Sequence, residues 1–324
     1  MAGSFFNGLV SGTIDWYNKK TTDLLVNNTA IIPGTFGINV AQQNYGQVDA
    51  QGIDLSIRHD HKAGNFKYYC GINFSYNTNE VIKYPEAAAA ADYQRRIGRP
   101  VNFITGYQAV DIARTASDLE GLPKYGTRDF ELGDIIFKDI AGPDGAGPDG
   151  KIDANDNVVL STDGADPKII YGIPMGLSYK GFDLNLLIEG VGKRKIMFPD
   201  RSQWQEQNVE SFWADAWTPD NIDGAYPKIG GLNATQGAAS SFWLRNAAYT
   251  RLKYLEIGYS LPGNLLKSLH LIQGRLYVSG SNLFLLQDHI KVFDPELQVT
   301  QNGGYGGFQY PLMRSVTIGL NIKF

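Results

Sequence analysis

The chain ends YPLMRSVTIGLNIKF, in which Val316, Ile318, Leu320, Ile322 and Phe324 alternate with Thr317, Gly319, Asn321 and Lys323. Alternation of this kind gives a strand one apolar and one polar face. The same period recurs along the chain. Phe66, Tyr68, Cys70, Ile72, Phe74 and Tyr76 share a face, opposite Lys67, Tyr69, Gly71, Asn73 and Ser75. Ile53, Leu55 and Ile57 alternate with Asp54, Ser56 and Arg58, and Leu184, Leu186 and Ile188 lie opposite Asp183, Asn185 and Glu189. In YTRLKYLEIGYSL the phase changes near Tyr254–Leu255, which predicts a β-bulge. Eight strands are predicted, over about 8–19, 47–59, 65–77, 170–179, 182–191, 246–260, 274–284 and 312–324.

The links between these strands alternate in length. DHKAGN, KG and LPGNLLKSLHLI are short, whereas the links over about 20–46, 78–169, 192–245 and 285–311 are long. If the strands run up and down, every short turn lies at one end and every long loop at the other. Outer-membrane barrels are built this way, with short periplasmic turns and long extracellular loops. The expected fold is all-β: an antiparallel, up-and-down portion of a transmembrane β-barrel, with about eight strands and long extracellular loops. Ile53, Leu55, Ile57, Phe66, Tyr68, Phe74, Val316, Ile318 and Ile322 should then face outer-membrane lipid, while Lys67, Asn73, Asn321 and Lys323 line the lumen. The parity returns the last strand to the periplasmic end and sets Phe324 at the membrane interface, where aromatics are favoured. The alternative is a soluble or surface-attached glycan-binding β-sandwich, whose strands also alternate but bury their apolar face. Strand length weighs against it: several strands exceed the roughly 5–6 residues usual in soluble sheets and match the roughly 9–11 of a spanning strand. Loops of this length are also uncommon in soluble domains.

Composition narrows the function. The 324 residues carry a net charge of −4 without a basic cluster, which excludes a nucleic-acid surface. The one cysteine, Cys70, sits in an apolar register and reads as a small hydrophobe. The start, MAGSFFNGLVSG, is not a secretion signal, so an outer-membrane location implies a missing N-terminal region. No Ser-His-Asp constellation can be argued from spacing, and no chemical step is expected. His59 and His61 bracket Asp60 in what reads as a solvated turn, with no third metal ligand in sight. GGYGGF at 303–308 has no helix after it to make a phosphate loop, and AAAAADYQRRIG at 87–98 favours a short helix. Trp204, Trp213 and Trp217 crowd one long loop, either as a platform for a sugar or, more commonly, as packing.

One stretch has recognisable site chemistry. In DIAGPDGAGPDGKIDANDNVVL, at 139–160, an acidic turn with glycines could wrap hard oxygens around a calcium ion. Placing Asp149 at the fifth position of a calcium loop puts Gly150 at the sixth, the Lys151 carbonyl at the seventh, Asp153 at the ninth and Asp156 at the twelfth. The first and third positions fall on Gly145 and Gly147, so Asp144 or Asp139 would have to complete the shell. A solvated acidic turn is the competing reading.

Four segments, VSGTIDWYNKKTTDLL, WTPDNIDGAYPKI, SFWLRNAAYTRLKYLEIGYSLP and the final YPLMRSVTIGLNIKF, resemble in sequence, order and spacing those of the SusC-like, or RagA-like, TonB-linked outer-membrane transporters. The resemblance covers nearly the whole chain. It implies the C-terminal part of such a barrel over 1–324, without the N-terminal plug domain or the TonB-interacting segment. Thr317, Gly319, Ile322 and Phe324 are similar to the signal read by the outer-membrane assembly machinery, and many family members carry an acidic turn like the one at 139–160. By the same resemblance the intact protein would import oligosaccharides or another large nutrient, with a SusD-like surface lipoprotein over the barrel. TonB would act only through the missing N-terminal region.

Overall fold

The computed structural model describes residues 2–6, 8–27, 41–142, 145–198, 211–230, 235–296 and 312–324. Among these residues nine antiparallel strands form one sheet. They are β1 (Ala2–Phe5), β2 (Val10–Val26), β3 (Gln43–Ala63), β4 (Phe66–Lys83) and β5 (Ile169–Tyr179). β6 (Phe182–Gly192), β7 (Tyr249–Ser260), β8 (Gln273–Asp288) and β9 (Ser315–Lys323) follow. Their order across the sheet is their order along the chain, so there is no Greek-key crossing. Lys180 and Gly181 both have positive φ, +46° and +91°, the requirement for a two-residue hairpin that matches strand twist. The turns at 64–65, 180–181 and 261–272 all lie at one end, as alternation of link lengths predicted.

Register places like residues side by side. Phe66, Tyr179, Phe182, Tyr259, Leu276 and Leu320 form one row across six strands at the short-turn end. The next row on that face is Tyr68, Leu177, Leu184, Ile257, Val278 and Ile318. Between Phe66 and Tyr76 the face stays apolar for a strand length of roughly 33 Å, about 25 Å along the normal once tilted, which is the height of a barrel's apolar band. The face is open rather than packed: Ile318 is 75% exposed, Val316 68% and Ile322 46%. A sandwich would bury it, so the soluble alternative does not hold.

The eight expected strands are present, and among the described residues Ala2–Phe5 adds a ninth as a short hairpin partner to β2. Two expectations are corrected. His59 and His61 are not in a turn. The β3–β4 ladder runs on to Ala63–Phe66, so both rings stand on the apolar face, parallel to within 8° and 6.2 Å apart, with Cys70 opposite His59. The stretch 87–98 holds one 3₁₀ turn, Asp92–Gln94, rather than an α-helix. A lone alanine run has too little packing to offset helix nucleation. The bulge is present: Leu187 pairs with Tyr254 but the next residue, Ile188, pairs with Leu252, so Lys253 is the extra residue against β6.

The buried core lies outside the sheet. Among the described residues, only Val81 and Tyr249 of the buried apolar side chains belong to the nine strands, and both sit near the long-loop end. The rest come from 104–152, 196–198, 213–247 and Ile290, whose segments cover that end as a layer of their own. Trp243, fully buried, is its centre. It rests against Phe242, Phe198, Trp213 and Tyr226 and donates its Nε1 hydrogen to the Gln236 carbonyl. Asp134 is also fully buried, offset by Arg128 at 2.8 Å and Lys228 at 3.3 Å. Trp243→Ala should cost the loop layer about 3–5 kcal/mol through the lost side chain and the cavity it leaves. Thermal unfolding followed by tryptophan fluorescence in detergent checks this, and the strand content should survive.

Candidate functional site: the polar inner face and its loop cover

Opposite the apolar face, register assembles a polar one. Tyr69, Gly176, Asn185, Glu256, Ser279 and Thr317 form one row. Lys67, Ser178, Asp183, Gly258, Tyr277 and Gly319 form the next. These side chains bond to one another across strands. Arg275 forks onto Asp183, with Nε 3.0 Å from Oδ1, and its Nη2 reaches Glu256 at 2.7 Å. Glu256 also accepts from the Tyr254 hydroxyl at 2.6 Å. Ser56 donates to Asn73 at 2.8 Å, and Tyr69 to Asn185 at 3.2 Å. Such a face suits water and polar cargo.

Two glycines make the pattern possible. Arg275 reaches Asp183 by lying across Gly258, and the Tyr277 ring lies across Gly319; a Cβ at either glycine would overlap the side chain above it. Gly319 therefore has a packing role besides its place in the terminal signal. Of that signal, Thr317 and Gly319 belong to the inner rows, while Ile322 is in outward phase with Ile318 and Leu320. Phe324, 79% exposed, ends the chain just beyond β9.

The loop layer is fastened to the inner face by ions. The bulge turns Lys253 toward Glu189 at 2.9 Å and Glu296 at 2.7 Å. Arg251, only 2% exposed, pairs with Asp294 at 2.6 Å and Glu296 at 2.9 Å. Arg194 donates to the carbonyls of Ala165 and Pro295. Burial lowers the Arg194 pKa, yet a guanidinium stays charged at any physiological pH. These cations hold 294–296 against β6 and β7. The sequence places Arg251 on a polar phase of its strand, but its partners lie about forty residues downstream, and nothing local announces them.

The acidic turn puts its carboxylates to other use. Asp156 is fully buried and accepts from the backbone N–H groups of Ile140, Ala141 and Asp153. Asp139 accepts from Asp149 and Gly150, and Asp149 from Lys151. The Asn155 N–H, then the Lys151 ammonium at 3.1 Å, hold the Asp153 carboxyl below the usual carboxylate range. Among the described residues no three carboxylate, histidine or cysteine side chains gather as a metal site, and Asp144 lies outside the described residues. As placed, these oxygens are taken up by backbone N–H groups and the Lys151 ammonium. Of the three tryptophans, Trp213 is buried in the loop core at 2% exposure and Trp217 at 8%, so neither offers a free ring face to a sugar. Trp204 and GGYGGF lie outside the described residues.

No family model matches the chain. Among curated proteins it is 28% identical over 347 residues to TonB-dependent receptor P26 of Formosa agariphila, covering 100% of this chain and 34% of that protein. It is 27% identical over 344 residues to TonB-dependent receptor P3 of the same organism, covering 99% of this chain and 33% of the other. With TonB-dependent receptor SusC of Bacteroides thetaiotaomicron it shares 24% over 326 residues, covering 99% of this chain and 31% of that one. The chain thus spans about a third of the length of these relatives. Among solved structures, a chain of the RagAB peptide transporter superposes with a TM-score of 0.71 at 23% identity, over 100% of this chain and 34% of the other. A chain of the RagAB importer in its open-open state gives the same 0.71 and 23%.

Two outcomes follow from this geometry. Arg251→Ala leaves the half-buried Asp294 without its cation, while Glu296 keeps Lys253, and should cost about 1–3 kcal/mol locally, seen as faster hydrogen exchange over 288–296 with the sheet unchanged. Gly319→Ala should lower the yield of folded protein in the outer membrane, read by heat-modifiable mobility. Adding Tyr277→Ala should restore it, because the collision is with that ring. If the double variant stays defective, the glycine is required for a reason other than packing.

Proposed function

We propose that this chain, a relative of the SusC-like TonB-dependent receptors, forms the C-terminal part of the barrel of an outer-membrane active transporter. Its place is the outer membrane, and its relatives are receptors and transporters rather than enzymes. The observation that carries the reading is the polar inner face of the sheet, cross-linked by Arg275, Asp183 and Glu256, under a loop layer pinned by Arg251 and Lys253. A wall of this kind lets a hydrated solute pass while the apolar face stays in lipid.

In this reading the cargo is an oligosaccharide or another large nutrient. A SusD-like lipoprotein sits over the loop layer, and energy reaches a plug, encoded elsewhere in the protein, through TonB. Peptide cargo belongs in the same reading, because the superposed chains come from the RagAB peptide transporter and importer. Calcium at the acidic turn is a separate proposal. It needs Asp153 to exchange the Lys151 ammonium for the ion, and Asp139, Asp149 and Asp156 to release backbone donors. Calorimetry tests it: calcium heat abolished by Asp149→Ala supports the site, and no heat dismisses it.

Uptake tests the transporter reading. Cells with the gene deleted should lose import of one class of labelled oligosaccharide or peptide, and a protonophore should abolish the same import in wild-type cells. Unchanged uptake of every such cargo after deletion would contradict it.

A further inference from the structure

The segment after β4 carries the run QRRIGR at 94–99, three arginines in six residues. Two are spent locally. Arg99 forks onto Asp92, both contacts 2.8 Å, and donates to the Asp92 and Arg95 carbonyls. Arg95 donates to the Ala90 carbonyl. Arg96 is different. Its guanidinium lies over the Tyr84 ring at 5.0 Å and, among the described residues, has no carboxylate or carbonyl partner. Glu86, the nearest acid in sequence, directs Oε1 at the Arg96 and Ile97 backbone N–H groups, at 2.5 and 2.8 Å, and so closes the turn instead of pairing with the side chain.

Arg96 lines a cleft of about 780 Å³, between this segment and the loop layer. Tyr84, Tyr93 and Phe103 supply ring faces, and Thr105 and Asn157 supply hydroxyl and amide groups. The floor is Ile104 and Met197, both members of the buried core and therefore fixed in place. The volume suits two or three linked sugar or amino-acid units, within the range of ordinary ligand pockets. A guanidinium held over an aromatic ring keeps N–H groups free, and its planar fork can take a carboxylate by two parallel hydrogen bonds.

We propose that this cleft is a subsite for a carboxylate-bearing ligand, with Arg96 as the anion contact and the tyrosine and phenylalanine rings as its walls. The carboxylate has two possible sources of one chemistry: the C-terminus of a short peptide or the uronate of an acidic oligosaccharide. The inference deepens the transporter reading by naming a feature of the cargo. Binding to purified protein needs no energised membrane, so its failure is separable from a failure of uptake.

The test is calorimetry on the protein purified in detergent. The probes are trialanine, trialanine amide, trigalacturonate and maltotriose. At least one of the two acids should bind about tenfold or more tighter than trialanine amide and maltotriose. Tighter trialanine marks the peptide source, and tighter trigalacturonate the uronate source. Arg96→Gln should bring the preferred acid down to the level of the neutral probes, while Arg95→Gln leaves it unchanged. Both arginines are exposed, and unaltered heat-modifiable mobility certifies the fold of each variant. The proposal is overturned if neither acid binds below about 10 mM, if acid and neutral probes bind alike, or if the two arginine variants behave alike.

Discussion

A strand inside a bilayer has no water to satisfy its backbone, so every N–H and C=O must be paired along the sheet. That constraint fixes the register, and register fixes the rest. Because side chains alternate strictly, one ladder sends Tyr68, Leu177, Leu184, Ile257, Val278 and Ile318 to one face. It sends Tyr69, Asn185, Glu256, Ser279 and Thr317 to the other. A slip of one residue in β6 or β7 would turn Asp183 or Glu256 into hydrocarbon. Ion pairs of the inner face reinforce the register, since Arg275 meets Asp183 and Glu256 only when three strands are aligned.

The protein separates two kinds of stability. The sheet buries little of its own, and its apolar face finds its partner in lipid. The loop layer behaves like a soluble domain, with a packed aromatic centre at Trp243 and a buried carboxylate at Asp134 paired twice. Arg251, Lys253 and Arg194 join the two, reaching the layer through Asp294, Glu296 and two main-chain carbonyls. The bulge at Lys253, the extra residue against β6, aims its ammonium at two acids at once.

Much of the fold was legible because alternation is a local signal. The strand around Phe66–Tyr76 and the last strand could be read face by face, and link lengths alone gave the connectivity. Histidine polarity misled at His59 and His61, where the ladder, not the side chain, decides what is strand. The alanine run at 87–91 misled in the same way, as propensity without a packing face. Site residues were less legible because their partners are distant. Asp134, Arg251 and Arg275 look like ordinary charges in sequence, and only folding brings Lys228, Asp294 and Asp183 to them. The acidic turn showed its acids but not the backbone donors that occupy them.

The central claim is that the alternating faces of β9 meet lipid on one side and water on the other. In a Cys70→Ala background, a spin label at Ile318→Cys and one at Thr317→Cys report this directly in a reconstituted bilayer. The label at 318 should collide readily with dissolved oxygen and poorly with a water-soluble nickel chelate, and the label at 317 should do the reverse. Two labels shielded from both reagents, or the opposite preference, would contradict the account.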